Sequence, residues 1–165
     1  PLAAHAAGSD SDSPPQPTNT TKTCTKGMVW DANSKKCVAP KRGSLDDDTL
    51  YGAVREFAYA GQYGHAMAAL DAMSDQQDDR VLTYRGFVTR KSGDMEGGMA
   101  FYRAALEVNP DNLLVRSYMG QAFVERGLVQ PARTQLTEIR QRGGSGTWPE
   151  IALAQAIEQG RSFSY

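Results

Sequence analysis

Very little in this chain is equipped for chemistry. It holds two histidines and two cysteines, and neither cysteine sits in a Cys-x-x-Cys pair or near a histidine. That leaves no metal framework of the zinc kind. No serine or cysteine nucleophile comes in a recognisable local setting. The glycine-rich run Gly143–Gly146 is not followed by Lys-Ser/Thr, so it is not a phosphate loop. Asp46, Asp47 and Asp48 lack the ligand spacing of an EF-hand and read as the start of a helix. No apolar run approaches the ~20 residues of a membrane span. Net charge is −1, so no overall field recruits nucleic acid. No cofactor is implied, and an enzyme is not the expected class.

What the chain does have is order along its length. Residues 1–44 carry six Lys/Arg against three Asp/Glu, and the remainder is net acidic. The excess is too weak to argue a nucleic-acid or membrane arm. Residues 1–23 are rich in Ser, Thr, Asp and Pro, with one large apolar residue, Leu2, and read as a disordered leader. The start, Pro-Leu-Ala-Ala-His, suits either the tail of a removed export signal or an expression remnant. A cystine hairpin and hinge are expected over 24–43. Met28-Val29-Trp30 favours a strand, Asp31 to Ser34 a turn, and Lys35 to Val38 a returning strand. Cys24 and Cys37 would cross-link it, which points to an oxidising compartment, periplasmic or secreted. Two free thiols in a cytosolic tail are the alternative. Trp30 offers an aromatic face for a cell-wall sugar or a small core for the hairpin.

From residue 44 to 160 the pattern turns helical and repeats. Ser44 reads as the first N-cap. Gly61, Gly93 and Gly127 each separate two amphipathic runs and recur at a nearly constant interval, a period of about 34 residues. Units fall at about 47–78, 79–112 and 113–146. A capping helix follows at about 149–160, with Pro149 at its first position, and a tail over 161–165. Pro131 falls in the first turn of its helix, where its missing N–H has no intrahelical partner to lose. Five of the six methionines lie at helical positions and read as core filling. His65 reads as a half-exposed helix residue. Gly97, beside Gly98, has no evident role in the sequence.

The repeat resembles the tetratricopeptide family. Leu82, Gly86, Gly93, Gly98, Tyr102, Ala105 and Pro110 match its signature positions in the second unit. Met119, Gly120, Phe123, Gly127, Ala132, Leu136 and Ile139 match in the third. Leu50, Ala53, Phe57, Gly61, Ala66, Leu70 and Met73 match more loosely in the first. Arg85 and Thr89 depart from the pattern. The whole is similar to the small exported tetratricopeptide proteins of Gram-negative bacteria. The resemblance implies an all-α fold: a right-handed α-α superhelix of three helix pairs plus a capping helix. It implies a non-enzymatic adaptor whose first helices line a concave groove for a peptide or protein partner. The groove positions would be Tyr51, Arg55, Tyr84, Phe87, Arg90, Tyr118 and Gln121, with Arg80 and Lys91 at the rim. Arg55 and Arg90 could pair with a carboxylate. Aromatics and Arg are the side chains enriched at binding hot spots, although the same side chains also serve to pack neighbouring helices. Cell-wall attachment through the Trp30 hairpin, or self-assembly through open solenoid ends, are the competing readings.

Overall fold

The computed structural model describes residues 13–162. Among them the chain is mostly helical, with eight helices and one two-stranded hairpin. They form two compact units, Pro15–Val108 and a second built from Asn109 onward.

The first unit starts with α1 (Asn19–Lys22), β1 (Val29–Asp31) and β2 (Lys36–Val38). Thr18 caps α1. The strands pair antiparallel with Trp30 opposite Cys37, and Cys24 and Cys37 are disulfide-bonded. Asp31 closes the turn by accepting from the N–H groups of Asn33 and Ser34 at 3.0 and 3.3 Å. The Ser34 side chain, then the Asn33 N–H, hold its carboxyl below the usual range. Residues 13–23 therefore differ from the disordered leader expected over 1–23. Residues 18–22 form a capped turn held by groups far along the chain. Residues 1–12, and the tail residues 163–165, lie outside the described residues.

Two helix pairs follow: α2 (Asp47–Tyr59) with α3 (Tyr63–Ala72), and α4 (Asp79–Lys91) with α5 (Met95–Val108). Asp46 caps α2, not Ser44. The Ser44 hydroxyl instead donates to Lys41 and Ala39 carbonyls in the preceding turn. Asp78 caps α4, and Asp94 caps α5 by accepting from the N–H of Gly97 at 2.8 Å. A Cβ at residue 97 would meet that carboxylate, the end of a side chain. Arg85 leaves the core and ties α4 to α3 through Asp71 at 2.6 Å and Gln76.

Asp46→Ala is expected to cost about 1 kcal/mol at neutral pH, the usual loss for an N-cap. The Thr49 N–H and hydroxyl, both 2.8 Å away, hold the Asp46 carboxyl below its ordinary value. A depressed folded-state pKa stabilises above the unfolded value of about 3.9 and is lost as pH falls through the folded one. Urea unfolding of both proteins from pH 7 to 2.5 should show a constant gap down to about pH 5, closing at the acid end.

The second unit holds α6 (Leu113–Glu125), α7 (Val129–Gln141) and α8 (Trp148–Gln159). Asn112 caps α6. α7 lies against α6, and α8 covers both. Leu136, Ile139 and Leu153 form one apolar cluster, and Val124, Ala132 and Ala156 another. Gly120 lies where α8 approaches α6, and a Cβ there would come within 2.6 Å of the Leu153 side chain. Two guanidiniums close the base. Arg116 and Arg142 both donate to the Pro110 carbonyl, and Arg142 also binds Glu138 and Asp111. Burial, then the nearby Arg142, pushes the Arg116 pKa below its ordinary value.

Five helices, α2, α4, α6, α7 and α8, end with one device. Past each, an N–H reaches back five residues: Gln62 to Phe57, Asp94 to Thr89, Leu128 to Phe123, Gly144 to Ile139 and Arg161 to Ala156, at 2.8–3.2 Å. This is the Schellman closure. It needs φ > 0 at the residue before that N–H, where glycine carries no Cβ penalty. Gly61, Gly93, Gly127, Gly143 and Gly160 all have positive φ. Gly160 follows Gly127 at almost the interval that separates Gly93 from Gly127, so α8 ends as the first helix of each pair ends.

Candidate functional site

The first helix of each pair is the central one. α2 and α4 each bury eight of 13 residues and α6 buries ten of 13, whereas α3 and α5 bury four each and α7 three. α2 and α4 also run in matching register. Asp48 meets Arg80 at 2.9 Å and the Tyr51 ring meets the Tyr84 ring at 5.7 Å, and each contact joins positions about one repeat apart in sequence. One repeat thus lies beside the next, with equivalent positions touching.

This register assembles an aromatic and cationic wall. Tyr51 packs edge-on to Tyr84, Tyr84 lies 6.0 Å from Phe87, and Tyr59 stacks on Phe87 at 5.8 Å. The Arg80 guanidinium sits 5.1 Å from the Tyr51 ring centre. Arg90 lies within about 6 Å of both Phe87 and Tyr102, and Lys91 is 6.0 Å from Phe87. Such contacts are worth about 0.5–2 kcal/mol, more as water is excluded. Arg55 follows Tyr51 by one turn.

Of the positions read as groove-lining, Tyr51, Arg55, Arg80, Tyr84, Phe87 and Arg90 share this unit. Tyr118 and Gln121 belong to the other. Their exposure departs from an open groove. Tyr51 and Arg55 are 5% and 6% exposed, Arg90 is 4%, and Tyr84, Phe87, Tyr118 and Gln121 are 0%. Tyr118 packs edge-on to Trp148 at 6.5 Å. The Gln121 amide donates to Ser117 at 3.2 Å. Arg80 keeps a partly exposed side chain, paired with Asp78 and Asp48. Hydrogen bonding to Asp78 first, then Asp48, raises its pKa above the ordinary value.

Other candidates have structural duties. Asp46 caps, Asp47 accepts from Ser74 at 2.9 Å, and Asp48 pairs with Arg80. His65 is half-buried against Phe57 and Gly27. Trp30 is half-buried in β1, and its backbone N–H donates to Thr20.

One polar site is not announced by the sequence. The Glu56 carboxylate, 5% exposed, receives the N–H and hydroxyl of Thr18 and of Thr21. The Thr18 contacts span 38 residues. Tyr59 was also missed, although its place one turn past Arg55 was a usable signal.

No helix among the described residues is long and apolar enough to cross a membrane. No family model and no solved structure matches the chain. Cellulose synthase operon protein C of Pseudomonas fluorescens (strain SBW25) is 26% identical over 113 residues, 62% of this chain. The chain spans only 9% of that protein's length, so what it is similar to is a small part of a much longer molecule.

Proposed function

We propose that this chain is a non-enzymatic protein-interaction module of the tetratricopeptide type, a right-handed superhelix that holds a peptide or protein partner against its first helices. One observation carries the reading. Among the described residues, seven of the eight buried polar or charged side chains lie on α2, α4 and α6: Arg55, Glu56, Thr83, Arg90, Arg116, Ser117 and Gln121. A helix kept central only by packing would be apolar all round. Here polar groups and aromatics are concentrated on the helices that the family uses for recognition. The wall is nearly closed to water, so capture is coupled to opening of that face, and association slower than the usual rate of about 10⁵–10⁷ M⁻¹s⁻¹ is expected.

The Cys24–Cys37 disulfide supports an exported location, periplasmic or secreted. By likeness to a protein named for a cellulose synthase operon, the partner is best sought among the products of such bacterial operons. The test replaces Arg55 and Arg90 by Met, which keeps the side chains long but removes their charge and donors. Glu would bury a carboxylate in an enclosed face and unfold it. Crosslinked capture from the native envelope is expected to lose its principal partner in the double variant while helicity is retained. Equal recovery by both proteins would sink the reading.

A further inference from the structure

The segment from Pro15 to Val38 is fastened to α2 and α3 at separate points. Glu56 accepts four hydrogen bonds from Thr18 and Thr21. Gly27 lies against the His65 ring, so close that a Cβ would come within 2.6 Å of it. Val29 is 1% exposed. The Trp30 N–H donates to the buried Thr20 hydroxyl at 3.2 Å, joining the hairpin to α1. Against these ties stand strands of three residues each, too short to hold a hairpin in water unaided. The Cys24–Cys37 bond closes the loop from the end of α1 to β2 and so keeps all the ties in register. Both cysteines are half-buried, so neither is sealed in the core.

We propose that this disulfide is a redox latch: reducing it frees residues 15–38 as a unit and uncovers the Glu56–Tyr59 side of α2, while the helix pairs stay folded. The reductant is a dithiol. One of its thiolates attacks a sulfur of the bond and forms a mixed disulfide, and the other thiolate displaces it. Cys24 and Cys37 gain two electrons and two protons, and the dithiol leaves as its own disulfide. Tyr59 carries the effect inward. It lines a small pocket with Pro15, Pro17 and Thr21, and its ring also stacks on Phe87. Unlatching therefore loosens the aromatic wall. That last consequence rests on the proposed binding role; the latch does not.

Hydrogen exchange followed by NMR tests the latch on the full chain without any partner. The amides of Thr18, Thr21 and Trp30 report the leader, and those of Ala66 and Leu82 report the helices. Dithiothreitol is expected to speed exchange at the first three on the order of a hundredfold, the factor for cross-linking a loop of this length, and to leave the other two unchanged. A Cys24→Ser/Cys37→Ser variant should show the same pattern without reductant and no further response to it. Unchanged leader amides in the reduced and variant proteins overturn the latch. So does equal acceleration everywhere, which would make the bond a general staple. Capture by oxidised and reduced protein then tests the link through Tyr59. A change supports regulation, and no change despite a released leader refutes that link alone.

Discussion

Gly98→Leu is expected to destabilise the first unit by roughly 3 kcal/mol or more and to lower the thermal midpoint by roughly 6–12 °C. A Cβ at residue 98 would lie 2.7 Å from the Arg90 Cβ, 2.8 Å from the Gly86 carbonyl oxygen and 3.0 Å from the Arg90 nitrogen. These are backbone and near-backbone atoms that cannot turn aside. The only relief is for α4 and α5 to separate, which also pulls Arg90 from Tyr102. Gly98→Ala sets two effects against each other. Removing glycine from a helix gains about 1 kcal/mol in propensity, and the clash removes more, so a net loss of about 1–2 kcal/mol is expected. Gly97→Ala provides the contrast, because its neighbour is only the Asp94 carboxylate, the end of a side chain. Urea unfolding followed by circular dichroism separates the three. A Gly98→Leu protein within about 0.5 kcal/mol of the parent would show that α4 and α5 do not approach this closely.

The second large effect is expected at Tyr84, which is fully buried and sits between Tyr51 and Phe87. Tyr84→Ala should cost about 3–5 kcal/mol, the range for emptying a buried aromatic site. It should also loosen Tyr51, and with it Arg80. The ion pairs of Arg80 cannot compensate. Asp48 is mostly exposed, and exposed pairs contribute about 0–1 kcal/mol. The same substitution would abolish partner capture whether or not Tyr84 touches a partner. Unfolding must therefore be measured first, which is why Arg55→Met and Arg90→Met are the cleaner probes of binding. A loss below about 1 kcal/mol at Tyr84 would mean that the wall is not part of the core.

Much of the local structure was legible from neighbouring residues. A helix followed by glycine needs φ > 0 just past its end, so the spacing of Gly61, Gly93 and Gly127 marked the helix pairs, and all three have positive φ. Asp78 and Asn112 cap their helices because a short polar side chain reaches an N–H two or three residues on. Two cysteines leave one possible pairing within the chain. Where two local candidates competed, the pattern could not choose. Ser44 and Asp46 are both good caps, and the outcome depends on which reaches the Thr49 N–H. Composition misled over the leader. Its residues lack apolar mass, yet Thr18 and Thr21 are held by a carboxylate from a distant helix.

The division is physical. Helix ends, turns, caps and the repeat interval depend on contacts between near neighbours in the chain, and those contacts are written in adjacent letters. The kinds of side chain on the inner helices, aromatic and guanidinium, were equally plain. Their burial was not, because exposure is the sum of everything that packs against a residue. Arg55 and Arg90 look like surface groups in the sequence and are enclosed in the fold. Glu56 looks like one more helix carboxylate until folding brings Thr18 and Thr21 to it. Packing of distant segments turned an expected open groove into a closed wall, and fastened residues 18–21 of an expected loose leader.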